Sequence, residues 1–372
     1  MRVCSLSLAD FRSYAEAEVE FAAGLTAIVG SNGHGKTNLL EAVGFAAGLG
    51  SFRGAADAAL IRDGAPSAVI RCSGRADAGR GVLIEVELAR SRPNRVKVNH
   101  QPVSRRRDLL GVLTATAFSP DDLELVKGEP AVRRRWLDDA LAAVRPSWGA
   151  LRSELDRILR QRNTLLRQAQ GRAVGDVAIT LDVWDAKLAA VGDELREGRR
   201  VLLAAMEPGI RRGYAQISRG QDGAGVAYVS SWDDESLAGA LSAARREDLR
   251  RSTSTVGPHR DDVLLQIGGL PARSHASQGE QRSLALALRL AVDTEVRDRR
   301  GIEPVLLLDD VFSELDAGRA AALLEALPSG QRILTTASPV LPAGVRPDRL
   351  IRVAAGPARL SHLTVDGLED SG

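Results

Sequence analysis

The feature that most constrains this fold is a pair of phosphate-chemistry signatures at opposite ends of the chain. Gly30-Ser31-Asn32-Gly33-His34-Gly35-Lys36-Thr37 matches the phosphate-binding pattern G-x-x-x-x-G-K-[ST] at every fixed position. Far downstream, Ser277-Gln278-Gly279-Glu280-Gln281 opens a long helical pattern. An apolar strand from Pro304 to Leu308 then runs into Asp309-Asp310. The loop alone predicts a nucleoside triphosphate.

Each segment has a chemical reason. Gly30, Gly33 and Gly35 let the backbone curl so that successive N–H groups face phosphate oxygens beneath a helix N-terminus. Ser31, Asn32 and His34 fill the variable loop positions. Lys36 supplies a point charge for the β- and γ-phosphates, and the Thr37 hydroxyl ligates Mg²⁺. A buried parallel strand reads as a continuous apolar run, and an acid at its C-terminal tip meets the ligand crevice of an α/β sheet. Asp309 is therefore assigned to Mg²⁺ and Asp310 to polarising the attacking water, with Lys36 as the second catalytic group. Ser277, Gly279 and Gln281 open a helix whose N-terminus makes a second anion site. By itself that segment reads equally well as an ordinary helix cap. All three signatures in one chain predict an α/β fold of the ABC-type P-loop ATPase head, in which two chains sandwich ATP.

Along the chain, residues 1–118 read as a sheet-rich ATPase lobe carrying the phosphate loop. Strands are expected at 2–8, 17–21, 25–29, Val82–Ala89 and Arg95–Val98, with Arg92-Pro93-Asn94 as a turn. Residues 119–252 carry i, i+3, i+4 apolar spacing and predict a helical second lobe, broken near Gly171 to Gly175. Residues 253–372 read as a hairpin turned at Gly268-Gly269, then the signature helix and the aspartate-tipped strand. No heptad run is long enough for an extended coiled coil.

The 50 Lys+Arg and 48 Asp+Glu nearly cancel, so a polyanionic partner has to be met by local clusters. Arg105-Arg106-Arg107, Arg133-Arg134-Arg135, Arg245-Arg246 and Arg250-Arg251 are candidate phosphate clamps, each with solvated helix face as its plainer explanation. No apolar run approaches the roughly 20 residues of a membrane span, and the start lacks a secretory pattern. With two cysteines and no metal-ligand spacing among five histidines, a cytoplasmic location is expected.

Further blocks narrow the class. Leu8-Ala9-Asp10-Phe11-Arg12-Ser13-Tyr14 precedes the loop, and Asn38-Leu39-Leu40-Glu41-Ala42 follows it. Phe118-Ser119-Pro120-Asp121-Asp122-Leu123 leads through Gly128-Glu129-Pro130 to Arg133-Arg134-Arg135-Trp136-Leu137-Asp138. Gly257-Pro258-His259-Arg260-Asp261-Asp262 leads to the signature helix. With these, the chain resembles the RecF family, in the SMC-like branch of ABC ATPases, over nearly its whole length. That resemblance implies an ATP-dependent DNA-binding protein that dimerises on ATP, hydrolyses it weakly under stimulation by DNA, and acts at single-strand gaps and stalled forks. RecO and RecR are the implied partners in loading RecA, and a nucleoid-associated cytoplasmic location is implied. It also implies nucleotide contacts for Arg12 and Asn32, a contact from Ser277 to the partner chain's γ-phosphate, and an interface loop at Ser313-Glu314-Leu315-Asp316. Two positions depart from the wider ABC pattern: Phe118-Ser119-Pro120-Asp121 replaces the glutamine between lobes, and Thr335-Thr336 stands where a switch histidine is usual. The competing classes are a transporter-like ATPase subunit, an SMC-like structural protein and a GTPase. The RecF-type blocks, the absence of coiled-coil arms and the absence of an N-K-x-D motif weigh against them in turn.

Overall fold

The computed structural model describes residues 2–75, 79–103, 109, 112–169, 171–172, 175–220, 222–232, 236–313, 315–338, 341, 344–356 and 360–366. The elements begin with β1 (Arg2–Phe11), β2 (Tyr14–Glu20), β3 (Leu25–Val29) and α1 (Lys36–Ala46). Next come β4 (Ser67–Arg75), β5 (Gly81–Ala89), β6 (Arg95–Val98), β7 (Gln101–Val103) and β8 (Ala115–Phe118). The helices α2 (Glu124–Lys127), α3 (Pro130–Val144), α4 (Ser147–Gln168) and α5 (Asp176–Ser218) follow. After them lie β9 (Ala224–Val229), α6 (Leu237–Arg251), β10 (Asp262–Ile267), β11 (Leu270–Pro271) and α7 (Ala272–His275). The chain closes with α8 (Gln278–Arg300), β12 (Val305–Asp309), α9 (Ala317–Ala326), β13 (Arg332–Thr336), β14 (Arg349–Ala355) and β15 (Ser361–Asp366).

Contacts divide the chain into two compact units. The first comprises Met1–Asp122, Gln216–Arg219 and Leu286–Gly372; the second comprises Leu123–Ala215 and Gly220–Ala285. This differs from the expected borders. Residues 253–285 belong with the helical elements, because β10 pairs with β9 from Asp262↔Val229 to Ile267↔Ala224. In addition, Arg133 of α3 holds Asp262 of β10 through both carboxylate oxygens, at 2.8 and 2.9 Å. A sheet this small takes its burial from the helices beside it, so contact rather than chain order sets its membership.

The first unit contains two sheets. One is antiparallel, in the order β2-β1-β4-β5-β6-β7. The other has the order β15-β14-β3-β13-β12-β8, with β14, β3, β13, β12 and β8 parallel and β15 antiparallel at one edge. Alternating burial along β4 marks a half-covered strand, whereas every residue of β3 and β12 is buried. Leu39, Leu40, Val43 and Phe45 of α1 share one core with Leu6, Ile70 and Ile84 of the first sheet and Ile28, Leu307 and Ile333 of the second. A helix covered on both sides must be apolar nearly all round; of α1, nine residues from Lys36 to Ala46 are buried. The register sets Val29 level with Thr336 and Asp309 level with Thr335, so three neighbouring strands end together.

In the second unit, α4 ends at Gln168 and α5 begins at Asp176, bracketing left-handed Gly171 and Gly175. Gly268 and Gly269 carry φ of 58° and 79°, the paired positive values of a two-residue turn between β10 and β11. Among the described residues no helix is long and apolar enough to cross a membrane.

Candidate nucleotide-binding site

The phosphate loop leaves the buried end of β3 and enters α1 at Lys36. Its glycines are required for different reasons. A Cβ on Gly30 would lie 2.2 Å from the Val353 carbonyl oxygen, so the backbone passes too close to β14 for any side chain. Gly35 has φ +106°, which L side chains rarely adopt. Ser31, Asn32 and Gly33 are exposed, and His34 is half-buried with its N–H on the Ser31 carbonyl at 3.3 Å.

Lys36 is buried, and its Nζ donates to the Ser31 carbonyl at 2.9 Å. Burial lowers its pKa, while the nearby charges of Asp310 and Asp309 pull the other way. At the end of β12, Asp309 Oδ1 accepts from the hydroxyls of Thr37 and Thr335, both at 2.7 Å. Asp309 is 6% exposed, and burial pushes its carboxyl above the ordinary range, opposed by the two hydroxyls and by the positive charge of Arg53. Asp310 takes a left-handed backbone, φ 49°, a conformation aspartate tolerates better than most residues. Its N–H lies 3.2 Å from the Thr335 carbonyl and 3.0 Å from the Thr335 hydroxyl. Thr335 therefore fixes both aspartates. The sequence marks it only as the residue standing where a histidine is usual; the readable signal is a hydroxyl pair at the end of an apolar strand.

Among the described residues Asp309 makes no ion pair, and a buried carboxylate held only by hydroxyls is poorly compensated. That donor set suits a hard divalent cation, which is commonly held by one or two protein oxygens plus phosphate oxygens. Thr37 and Asp309 are the residues that fit it.

The other expected contact residues have surroundings of their own. The Arg12 guanidinium is turned onto Glu41 of α1, through Nε at 2.8 Å and Nη2 at 3.0 Å, and onto the Ala59 carbonyl at 3.2 Å. Its charge is matched by a fully buried carboxylate that the sequence pattern does not pair with it. Ser277 is exposed and forms a capping box: its N–H and hydroxyl donate to Glu280 Oε2 at 2.8 and 2.7 Å, and its Oγ lies 3.4 Å from the Glu280 N–H. Gly279, the second residue of α8, is half-buried. Gln281 is the remaining expected member of this segment. It is 3% exposed, and its Nε2 donates to the Ala272 and Arg273 carbonyls at 2.9 and 3.2 Å, so it clips α7 to α8. Asp122, in the block replacing the inter-lobe glutamine, accepts from Arg289 of α8 at 2.6 and 3.0 Å. Asp316 caps α9 by accepting from the Arg319 N–H at 2.9 Å, while Glu314 lies outside the described residues.

Most described members of the arginine clusters have partners within the chain. Arg133 is committed to Asp262, and Arg134 donates to the Asp261 carbonyl at 2.7 Å. Arg245 is bonded to Asp182 and Asp185, while Arg250 and Arg251 are bonded to Glu247. Arg135 and Arg246 are exposed and carry no ion pair among the described residues. The Arg105–Arg107 run lies outside the described residues.

A glycine loop below a helix N-terminus, a lysine inside it, and a threonine and an aspartate converging at parallel strand ends define a P-loop nucleotide-binding head of the ABC ATPase type. The RecF/RecN/SMC N-terminal domain family matches residues 2–354. The chain is 45% identical to the DNA replication and repair protein RecF of Frankia alni over 359 residues, covering 91% of this chain and 93% of that one. It is 45% identical to the Streptomyces avermitilis protein of the same name over 353 residues, covering 91% and 94%. A solved structure of the recombination mediator protein RecF with ATP, in the RecFOR pathway, superposes with a TM-score of 0.89 at 27% identity, covering 98% of this chain and 97% of that chain. An SMC head bound to the C-terminal winged-helix domain of ScpA shares the fold, with a TM-score of 0.59 at 19% identity over 99% of this chain and 98% of that chain. This chain belongs to the RecF family of DNA replication and repair proteins.

Proposed function

We propose that the chain is an ATP-gated DNA-binding protein of recombinational gap repair and replication-fork maintenance, working with RecO and RecR. The observation that carries this reading is the meeting of Thr37, Asp309 and Thr335 beside Lys36 at the ends of three parallel strands. The relatives' names and the ATP-bound neighbour in the RecFOR pathway support it.

In this reading the loop amides and Lys36 bind the phosphates of ATP, and Thr37 and Asp309 hold Mg²⁺. The metal, when bound, neutralises charge on the phosphate oxygens. Asp310, pinned by Thr335, orients the attacking water and accepts its proton. Ser277, exposed at the start of α8, meets the γ-phosphate of a second copy, which makes the dimer depend on ATP. Asp310 is one methylene shorter than the glutamate many such ATPases carry at this position, which suits slow, DNA-stimulated turnover used as a switch.

The test is Asp310→Asn, which removes the base but keeps the Thr37 and Asp309 contacts. Hydrolysis is expected to fall by about 10²-fold or more, the scale of general-base removal. ATP binding should persist, and the protein should stay on gapped DNA with ATP as wild type does with a non-hydrolysable analogue. A hydrolysis-dead variant that leaves DNA at the wild-type rate breaks the link between turnover and release. Retention by wild type that is the same with ATP, ADP and no nucleotide sinks the whole reading.

A further inference from the structure

The back of the phosphate loop is held by hydroxyls from β2, β15 and the turn before β2, none of which carries the phosphate-binding pattern. Ser361 Oγ, on the edge strand β15, lies 2.5 Å from the His34 carbonyl oxygen and 2.7 Å from Ser13 Oγ. Asn38 Nδ2 donates to Ser13 Oγ at 2.8 Å. The Ser361 hydroxyl is the donor to both oxygens, its proton shared between the His34 carbonyl and Ser13 Oγ, which also accepts from Asn38. One residue on, the fully buried Tyr14 donates its hydroxyl to the Gly35 carbonyl at 3.2 Å. Ser361 is itself tied down, its N–H on the Ser13 carbonyl at 3.0 Å. There is no room to spare: a Cβ on Gly35 would lie 2.4 Å from Ser361 Oγ and 2.8 Å from Ser13 Oγ.

The consequence follows from peptide geometry. Across a planar trans peptide the C=O of one residue and the N–H of the next point in opposite directions, and the described residues contain no cis bond. Holding the His34 carbonyl toward Ser361 aims the Gly35 N–H away from β15. The Gly35 carbonyl, held by the Tyr14 hydroxyl at 3.2 Å and by the Asn38 N–H at 3.0 Å, aims the Lys36 N–H away from β2. These are two of the amides that a phosphate loop turns on its ligand.

We propose that Ser361, with Ser13 and Tyr14, is a positioning residue for nucleotide: this hydroxyl relay fixes the direction of the loop amides and so sets affinity for the phosphates. The proposal rests on reading the loop as a nucleotide site. Without a preset direction the two peptide planes would have to be ordered when the ligand arrives, which weakens binding.

The experiment measures ATP and ADP affinity by titration on the full chain, with steady-state hydrolysis and nucleotide-free melting alongside. Ser361→Ala is expected to weaken both nucleotides by about 3- to 10-fold, the worth of one hydrogen bond, and to raise KM while leaving kcat near wild type. Ser361→Thr, which keeps the hydroxyl, should restore affinity; a merely structural serine would show its loss in nucleotide-free melting instead. Tyr14→Phe removes only the second anchor and should weaken binding in the same direction, so it decides the matter if Ser361→Ala does not fold. Wild-type affinity in the folded Ser361→Ala or Tyr14→Phe variant overturns the relay. If wild type and Lys36→Ala bind ATP equally, the nucleotide reading fails first and the relay with it.

Discussion

The nucleotide site and the interior of the helical unit handle buried charge in opposite ways. In the second unit, Arg199 is 2% exposed and grips Asp138 through both oxygens at 2.7 and 2.9 Å, with the Pro258 carbonyl at 2.7 Å as a further acceptor. Asp261 accepts from Tyr228 and from Trp232 Nε1. Arg162, fully buried, binds Asp185, Asp248 and Ser254. Both buried arginines have counter-charges built in, and the Gly257-to-Asp262 block sits inside that network. At the nucleotide site, among the described residues, buried Asp309 has only hydroxyls and Lys36 only a carbonyl as hydrogen-bond partners. Compensated charge is architecture. Charge left with neutral partners is a place where an ionic ligand has something to gain.

Removing one member of a compensated pair is the severest test of this contrast. Asp138→Ala strands the Arg199 guanidinium in the interior and should destabilise the protein by about 3–5 kcal/mol, read as a lower urea midpoint. A loss below about 1 kcal/mol would mean that the network is not what secures the second unit.

Lys36→Ala should do the reverse. Affinity for ATP should fall by about 10- to 150-fold, the worth of hydrogen bonds to charged groups, while nucleotide-free stability moves by about 0.5–1.5 kcal/mol, the net worth of the one carbonyl hydrogen bond that Nζ makes. Calorimetric titration and melting together check this, and a large stability loss without an affinity loss would make Lys36 structural.

Titration separates the units further. Burial pushes Asp293, bonded to Thr116 and Arg297, up to about 6. An unfolded aspartate titrates near about 4, so the native chain binds the extra proton in between. That stability is full below about pH 4 and is lost as pH rises through 6. Burial pushes His259 down to about 4, below the ordinary value of about 6.5. Here the unfolded chain takes the proton first, so stability is lost as pH falls from about 6.5 toward 4. Each effect spans about 2 pKa units, or roughly 3 kcal/mol at most. Asp293→Asn should flatten the decline on the rising side and His259→Gln the decline on the falling side, in urea midpoints measured across pH. Unchanged profiles would remove these groups from the account.

The smallest effects are expected at the surface. Arg250→Ala, losing an exposed pair with Glu247, should change stability by less than about 1 kcal/mol. Arg246→Ala should leave stability unchanged. If Arg246 meets DNA phosphate, its loss lowers the salt slope of binding by about 1; an unchanged slope excludes it as a contact.

The turn at Gly268-Gly269, the break between α4 and α5, the strand into Asp309 and the glycine loop are all written in local pattern. Local backbone chemistry decides them, and neighbours in the chain suffice. The lysine, threonine and aspartates of the site follow from the same logic, since their types and spacing encode chemistry before any fold is known. What only the tertiary structure decided are partnerships between residues that share no local pattern. Arg133 and Arg245 look like free cations in a row of letters, yet their carboxylates come from β10 and α5. Gln281 reads as part of a ligand motif and is folded inward onto α7. Thr335 and Ser361 carry no motif, and they matter because β13 lies between β3 and β12 and because β15 returns beside Ser13. A hydroxyl or a guanidinium is defined by what stands within 3 Å of it, and packing sets that distance.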